Sequence, residues 1–484
     1  MIHHDAKDER GVSAATSRDH ATASKRHWRS FAIRFVSPLY LAVANLFLVL
    51  FATVFPPQWF SQAANEPDIV FLNANYALLA ISCTGAFIAG IIFYRLLRGS
   101  GSIFFNKSPS FMPNESLVKK IKKVLMVCLG INFFTIALLI YGVGLHRFLQ
   151  SMNDKDLALA VRNQMIVVGR LAGFNVLALQ TLLFVTLVVA FFVLLNMKRS
   201  QSLTRLKFLF NGVIITYILV SFLEITRWPI LQMVFSLLLI YILYLNTIHG
   251  LGFLRFLKIG IIFVTFSLAV FLGIGVLKYG PSHVLGSVIG YTLASYNLGA
   301  AVVSGIFRQP NSGSTFATLG FFWQFPFLGN YFRQIGISYG LNLPIAGGAN
   351  MTWVNAWARA IVENTDLNPH WLWTTVYAYI YADVGWAALC VFFIYGAISQ
   401  YLYEGFIRLR LFQVALYAFF FAYQITWFTS VFISNTNLDD YVVFALALAF
   451  YIGPSWRNSL IASPTPPVVV CSAYKISDYD VTCR

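Results

Sequence analysis

Long apolar runs separated by polar segments constrain this chain more than any other feature of its sequence. A helix needs about 20 apolar residues to cross roughly 30 Å of hydrocarbon. We predict ten such spans, at residues 35–55, 75–97, 124–145, 173–197, 208–223, 229–245, 259–276, 373–403, 411–433 and 441–454. The chain is 58% hydrophobic and only 11% charged, whereas soluble domains contain roughly 25% charged residues. The sequence therefore predicts an all-α polytopic membrane protein.

The distribution of basic residues predicts the orientation of these spans. One side of the predicted bundle collects the N-terminal tail and the basic loops, including the run Lys119, Lys120, Lys122 and Lys123. The other side is poorer in lysine and arginine and holds most of the acids. The positive-inside rule then places both termini in the cytoplasm. Because the net charge of +16 follows this topology, we expect no nucleic-acid partner.

The predicted spans divide the chain into five parts. Residues 1–34 form a cytoplasmic tail, 35–276 the first seven helices, 277–372 a large outer loop, 373–454 the last three helices and 455–484 a second tail. The outer loop contains a mildly apolar run at residues 283–307. If this run crossed the membrane, Arg408 and Arg410 would fall on the outer side. We therefore predict a re-entrant or interfacial helix in that run.

Several classes of site are excluded by missing motifs. The five cysteines show no paired spacing, so neither a disulfide framework nor a metal cluster is indicated. There is no GxxxxGK[ST] loop of an ATP motor and no HExxH zinc motif. We therefore expect no cofactor and no metal. No cleavable signal peptide is visible, and the first apolar run is long enough to remain as an anchor.

Arginine dominates the basic residues of the predicted outer side. Seven of these nine residues are arginines: Arg147, Lys155, Arg162, Arg170, Arg227, Lys278, Arg308, Arg333 and Arg359. A guanidinium group binds phosphate in a planar, bidentate manner, so the excess indicates a phosphate-bearing ligand. The alternative is a set of scattered, solvated side chains. Arg227 lies in a tight turn between two spans, where an ion pair with Glu224 is the alternative interpretation.

One carboxylate, Asp383, lies inside the predicted span 373–403. A charge at membrane depth commonly costs a few kcal/mol, so it indicates function, although a packing hydrogen bond or a salt bridge is the alternative. On a continuous helix, Tyr379, Asp383 and Trp386 share one face. Aromatic rings beside a carboxylate suit sugar binding, and an interface-belt role is the alternative for Tyr379. His370, in the preceding polar segment, is either a general base or a structural residue.

Three short motifs together resemble the oligosaccharide repeat-unit polymerases, the O-antigen polymerase or Wzy-type family. They are Tyr381-Ala-Asp383-Val-Gly385-Trp386 at a late span, the turn Arg227-Trp-Pro229-Ile230, and Tyr291-Thr-Leu-Ala-Ser-Tyr296-Asn297 in the outer segment. That family has ten or more spans and a large outer loop, which matches most of the chain. The sequence departs from the family at Ala388, where a second glycine is common.

The resemblance implies a GT-C-like bundle in the bacterial inner membrane, with its active site facing the periplasm. Such glycosyltransferases move a growing glycan from undecaprenyl diphosphate to a sugar hydroxyl of the next lipid-linked repeat unit. Their products are O-antigen, which is part of lipopolysaccharide, or related surface polysaccharides. The implied partners are undecaprenyl-diphosphate-linked oligosaccharide, the lipid bilayer and a membrane protein that regulates chain length.

The resemblance also suggests roles for the candidate residues. The diphosphate would be bound by four arginines, Arg170, Arg227, Arg333 and Arg359. Asp383 or His370 would be the catalytic base, and Tyr379 and Trp386 would line the sugar site. The alternative functions are an O-antigen ligase, a polysaccharide flippase or other transporter, and a structural assembly subunit.

Overall fold

The computed structural model describes residues 33–54, 58, 72–99, 110–144, 146, 176–197, 201–223, 228–248, 257–262, 265–266, 269, 272–273, 293–306, 325, 328–340, 363, 365, 367, 374–427 and 438–461. These residues are mostly helical. Six of the described helices are long and apolar enough to cross a membrane, and three shorter apolar helices accompany them. The chain is therefore a membrane-embedded helical protein.

Twelve helices and two short strands organise the described residues. The helices are α1 (Pro38–Val54), α2 (Ala74–Leu97), α3 (Glu115–Val143), α4 (Val176–Asn196), α5 (Gln201–Leu223), α6 (Trp228–Ile248), α7 (Ser295–Val303), α8 (Gly329–Ser338), α9 (Val376–Val384), α10 (Ala388–Ile407), α11 (Leu411–Ile425) and α12 (Leu438–Arg457). The strands are β1 (Ser110–Phe111) and β2 (Leu460–Ile461), which pair in antiparallel register. A 3₁₀ turn, Gly385–Ala387, links α9 to α10.

The predicted spans overlap these helices, except for 259–276, of which half the residues are described, all of them helical, without forming one continuous element. One prediction is wrong in detail. The span 373–403 is not one helix, because the chain turns at Gly385 between α9 and α10. Helix α11 covers only the first part of the span 411–433, since it ends at Ile425 and residues 428–433 lie outside the described part of the chain. By contrast, α12 begins earlier and ends later than the predicted span 441–454.

Basic residues from several helices gather at one end of the bundle, which we call the basic end. Arg98, which caps α2, forms an ion pair with Glu404 near the end of α10. Lys122 Nζ at the start of α3 donates to Ser202 Oγ at the start of α5 over 2.7 Å. The other end, where α2, α6 and α12 begin, is called the far end below. This segregation follows the charge distribution used to predict the topology.

Helix α11 forms the centre of the bundle. Its residues 413–424 are buried without interruption, and α1, α4, α6, α10 and α12 pack around it. At 1.5 Å per residue its 15 residues span about 22 Å, whereas the 24 residues of α2 span about 36 Å. Because α11 starts at the basic end where α2 finishes, α11 stops on the order of 10 Å short of the far end.

Helices α2 and α10 run parallel and make the closest helix contact that is described. A Cβ atom on Gly396 would overlap the carbonyl oxygen of Phe87, and one on Gly90 would overlap that of Phe393. Each glycine therefore lies directly on the backbone of the other helix. Small residues at such positions let membrane helices gain dispersion contacts that larger side chains prevent. Ala388, where the sequence departs from the resembled family, is fully buried at the start of α10.

Helices α9 and α10 form a hairpin with its apex at Gly385. The Tyr377 ring near the start of α9 stacks on the Phe392 ring of α10, with centroids 5.5 Å apart and planes inclined by 14°. The chain must therefore rise towards the far end along α9 and return along α10. Gly385 has φ +59° and ψ −138°, a conformation that is essentially restricted to glycine. A hydropathy pattern carries no signal for this turn.

Candidate functional site

The start of α9 and the end of α11 meet inside the bundle. The backbone N–H of Val376, the first residue of α9, donates to the carbonyl oxygen of Trp427 over 2.9 Å. This bond pairs an unsatisfied donor of one helix start with an acceptor just beyond the other helix end. The positive end of one helix dipole also faces the negative end of the other. The start of α9 is thereby joined to the end of α11, which stops short of the far end.

Buried hydroxyl groups surround this meeting point, and we call them the polar junction: Tyr76, Thr84, Ser295, Thr374, Thr375 and Tyr377. The Tyr76 and Thr375 hydroxyls lie 2.6 Å apart, and those of Thr84 and Tyr377 lie 3.1 Å apart. Thr374 Oγ1 donates to the carbonyl oxygen of Ser295 over 3.4 Å. Hydrogen bonds thus connect α2, α7 and α9 at this point. Such irregular backbone is stable in a membrane where it is buried in protein.

Helix α7 covers the polar junction from the far end. Its nine residues span about 13 Å, which is too short to cross a membrane. Gly299 allows the close approach, because a Cβ there would lie 2.9 Å from Thr374 Oγ1. The Asn73 side chain at the start of α2 donates to Ser304 Oγ over 2.9 Å and holds the end of α7. The helix lies within the predicted run 283–307, but residues 283–292 and 307 lie outside the described part of the chain, so the re-entrant or interfacial helix stays a prediction.

The buried polar side chains of α7 are all neutral. Among them are Tyr296 and Asn297, which lie beside the buried apolar residues of the same helix. Burial raises the pKa of the Tyr296 phenol, and the nearby Tyr377 raises it further. The phenol therefore stays protonated at physiological pH. Neutral hydroxyl and amide groups of this kind can exchange hydrogen bonds with the hydroxyl groups of a sugar.

Only one of the two residues predicted to share a face with Asp383 is separated from it by a break in the helix, because Tyr379 and Asp383 both lie in α9. Asp383 is partly exposed near the end of α9 and already has an interaction partner. Tyr379 is buried, and its hydroxyl accepts from the Thr374 backbone N–H over 3.4 Å. Trp386 lies beyond the break at Gly385, where its side chain is 54% exposed. The predicted shared face is therefore wrong for Trp386, because the helix ends between Asp383 and Trp386.

The aromatic partner of Trp386 is Tyr381 instead. The two rings meet edge to face, with centroids 5.8 Å apart. On a continuous helix with 3.6 residues per turn, Tyr381 would point away from Asp383. The turn at Gly385 brings Trp386 round to the Tyr381 side. An aromatic pair, of which Trp386 is exposed and Tyr381 is half-buried, therefore marks the apex of the hairpin.

Most of the predicted cationic residues fall outside the described part of the chain. This is true of Arg170, Arg227, Arg359 and His370, and also of the side chain of Arg333, whose backbone belongs to α8. Their predicted roles stay predictions.

The residue that follows Arg227 in the chain is described. Trp228, the first residue of α6, donates from Nε1 to the Tyr423 hydroxyl over 3.0 Å. Tyr423 belongs to the last turn of α11. This bond fixes the start of α6 beside the end of α11.

Asp439 is the acid that the sequence analysis missed. It is the second residue of α12 at the far end, and only 4% of its surface is exposed. Its Oδ1 atom is buried and has no hydrogen-bond partner among the described residues. The available signal was the pair Asp439-Asp440 directly before an apolar run, since acids are favoured in the first turn of a helix.

Two other features of the described residues bear on the choice of site. No group of three His, Cys, Asp or Glu residues within them is placed to hold a metal ion.

An open cavity of about 460 Å³ is lined by Thr204, Arg205, Phe208 and Leu209 on α5. It lies at the basic end, where α5 begins, and its lining is mostly apolar. It is therefore separate from the polar junction.

Comparisons with known proteins leave the family open. No family model, curated protein or solved structure matches this chain. The likeness to the repeat-unit polymerases therefore rests on the three short motifs and on their order along the chain.

Proposed function

We propose that this chain is a membrane glycosyltransferase that polymerises lipid-linked oligosaccharide repeat units. It would transfer the growing glycan from undecaprenyl diphosphate to a sugar hydroxyl of the next undecaprenyl-diphosphate-linked unit. The reaction site would lie around the end of α11, at the far end of the bundle. That end would face the periplasm, because the basic end carries the residues that the positive-inside rule places in the cytoplasm.

One observation carries this proposal: parts of two motifs lie around the end of α11, and the third motif lies on the helix that starts there. Ser295, from the motif at residues 291–297, accepts a hydrogen bond from Thr374 just before α9. Trp228, from the motif at residues 227–230, is bonded to Tyr423 of α11. The motif at residues 381–386 forms the end of α9 and the Gly385 turn, and α9 begins beside Trp427. These segments are far apart in sequence, so their common location supports a shared role.

The chemistry requires few groups, because a lipid diphosphate is already a good leaving group. The acceptor hydroxyl loses its proton to a base and its oxygen attacks the anomeric carbon. The bond from that carbon to the diphosphate oxygen breaks, and undecaprenyl diphosphate leaves with the electron pair. Arginine side chains would stabilise the charge that develops on the diphosphate. No nucleotide is consumed in this scheme.

The predicted residues keep proposed roles within this scheme. Arg170, Arg227, Arg333 and Arg359 would bind the diphosphate, and Asp383 or His370 would be the base. Trp386 offers an exposed ring face to a sugar. Tyr379 would not contact the sugar directly, because its hydroxyl is buried. It would instead hold the Thr374 backbone in place beside the polar junction.

Deletion of the gene should separate this function from its rivals. Loss of a polymerase leaves surface glycan capped as single repeat units. Loss of a ligase leaves no capped glycan and lets lipid-linked polymer accumulate. Loss of a transporter leaves single lipid-linked units that never reach the surface.

We expect the first pattern, with long chains restored by a plasmid copy. The measurement is a gel of surface polysaccharide beside an analysis of the lipid-linked pool. Either of the other two patterns would replace the proposed function with the corresponding rival.

A further inference from the structure

The basic end of the bundle concentrates arginine where α2 and α10 finish. The guanidinium groups of Arg98 and Arg408 both contact Oε2 of Glu404, the second over 4.0 Å. Glu404 is the acid in both of the ion pairs that the described residues form, so it serves two cations at once. One carboxylate cannot neutralise two guanidinium groups, and the cluster therefore keeps a positive charge.

Two further arginines lie beside this pair and add to its charge. Arg95, in the last turn of α2, donates from Nη2 to Gln400 Oε1 over 3.4 Å, and Gln400 Nε2 donates to Glu404 over 3.2 Å. Arg95 and Arg34, which comes just before α1, both lie close enough to Tyr403 to act on its phenol electrostatically. Arginines from α2, from the end of α10 and from the segment before α1 thus converge on one place.

The Arg95 guanidinium is incompletely paired among the described residues. The group has five N–H donors, and its single hydrogen bond there is the long one to Gln400. Its Nε atom is buried and has no acceptor within the described part of the chain. A charge that is partly removed from water and weakly paired is costly, and a nearby anion reduces that cost.

The residue type indicates a ligand in addition to topology. The positive-inside rule requires positive charge and is satisfied equally by lysine, as at the start of α3 with Lys119 and Lys123. By contrast, the described basic residues around the ends of α2 and α10 are all arginines, whose planar group binds phosphate in a bidentate manner. The side chains of Arg98 and Arg408 are 34% and 54% exposed, so a ligand can reach them from outside.

An apolar surface leads away from the cluster along the exposed side of α10. Ile394, Ile398 and Tyr401 are exposed and recur in steps of four and three, which places them on one face of the helix. The same spacing leads on to Glu404 and then to Arg408. The face therefore passes from aliphatic to aromatic to charged side chains. A phospholipid that lies along the helix presents the same order, from acyl chain through ester groups to phosphate.

We infer that this arginine cluster is a binding site for the phosphate group of an anionic phospholipid, whose acyl chain lies on the exposed face of α10. Arg98 and Arg408 contact the phosphate oxygens, and Glu404 holds the two guanidinium groups together. Arg95 adds its charge. A zwitterionic phospholipid binds more weakly, because its cationic headgroup is repelled by the same cluster. The site lies at the end of the bundle opposite to the proposed glycosyl transfer and does not depend on it.

The test uses the full chain, purified in a neutral detergent, with phosphatidylglycerol and phosphatidylcholine of identical acyl chains as the probes. Apparent Tm is followed against the concentration of each lipid, because a ligand that binds the folded state raises Tm. We expect phosphatidylglycerol to bind the parent protein about tenfold or more tightly than phosphatidylcholine. Native mass spectrometry of the same samples counts the bound lipid.

Three paired variants separate the site from the total charge. Arg98→Ala/Arg408→Ala should abolish the preference for phosphatidylglycerol, a loss of about tenfold or more. Lys119→Ala/Lys123→Ala removes the same charge at the basic end and should keep the preference. Arg98→Lys/Arg408→Lys should lie between them, because lysine keeps the charge without the bidentate geometry. If the first variant does not fold, Arg408→Ala alone replaces it, since that side chain is the more exposed of the two.

The two lipids are compared within each sample, so a variant of lower basal stability still reports its preference. An equal loss in the arginine and lysine double-alanine variants would reduce the effect to total charge and overturn the site. An unchanged preference in Arg98→Ala/Arg408→Ala, or no preference in the parent protein, would overturn it as well. Glycerol 3-phosphate, which lacks the acyl chains, should leave Tm unchanged, and a rise equal to that with phosphatidylglycerol would contradict a lipid ligand.

Discussion

Replacing Gly396 with leucine should leave little folded protein that can be extracted from the membrane. Even the first side-chain carbon would overlap the Phe87 carbonyl oxygen of α2. The neighbour is backbone in the middle of a helix, so it cannot rotate away as a side chain could. Helices α2 and α10 would have to separate along their whole contact. The same reasoning applies to Gly90, which lies on the Phe393 carbonyl oxygen.

The loss of stability should depend on which glycine is replaced, and only weakly on the loss of a glycine in itself. Gly396→Ala should cost at least about 2 kcal/mol through overpacking. Gly85→Ala is the matched control, since it lies on α2 and a Cβ there meets nothing within 4 Å. Alanine at Gly85 should be neutral or stabilising by up to about 1 kcal/mol, because alanine favours helix. Apparent Tm in detergent measures both, and equal behaviour of the two variants would contradict the parallel packing of α2 and α10.

The second large effect is expected at Arg227. Arg227→Ala should reduce polymerisation by about 10²–10³-fold, the loss expected when one preorganised donor to a developing negative charge is removed. Arg227→Lys should fall between the parent and the alanine variant, because lysine keeps the charge but not the bidentate geometry. The measurement is the length distribution of surface polysaccharide in a deletion strain that carries each variant.

A matched control is available at the other end of the bundle. Arg205 is an exposed arginine on α5, at the basic end. Arg205→Ala removes the same charge and should leave the chain-length distribution unchanged. Protein level is followed by an epitope tag in every strain. Normal long chains at normal level of the Arg227→Ala protein would remove Arg227 from the proposed mechanism.

The spans were predictable because hydropathy is set by local composition. A run of about 20 apolar residues has few ways to avoid the membrane. The basic end was predictable for a related reason, since Arg98 and Arg408 stand beside apolar runs in the sequence. Both features depend on residue type and on little else.

The break between α9 and α10 and the early end of α11 were not predictable, because they depend on backbone geometry and on contacts between residues that are distant in sequence. The break at Gly385 requires a positive φ, and the surrounding residues read as one apolar helix. Helix α11 ends at Ile425 although apolar residues continue to position 433. The end is set where Trp427 accepts a hydrogen bond from Val376. Hydropathy does not encode a partner that lies about 50 residues away in sequence.

The candidate site was predictable only in part for the same reason. The motifs pointed to segments that lie near the end of α11 or on the helix that starts beside it, but two of the candidate side chains are not placed as the pattern predicted. Tyr379 is buried and Trp386 is turned away by the break. Asp439 was missed because α12 begins three residues before the predicted span, which placed this acid in a loop. Burial is a property of the assembled bundle, so the special position of Asp439 becomes visible only there.

The proposal is tested most directly by purified protein in a lipid bilayer. The only additions are an undecaprenyl-diphosphate-linked repeat unit and a chelator, with no nucleotide present. The account predicts a ladder of lipid-linked products on a gel, with one undecaprenyl diphosphate released for each unit added. Unchanged substrate, in the presence of folded protein, would contradict it.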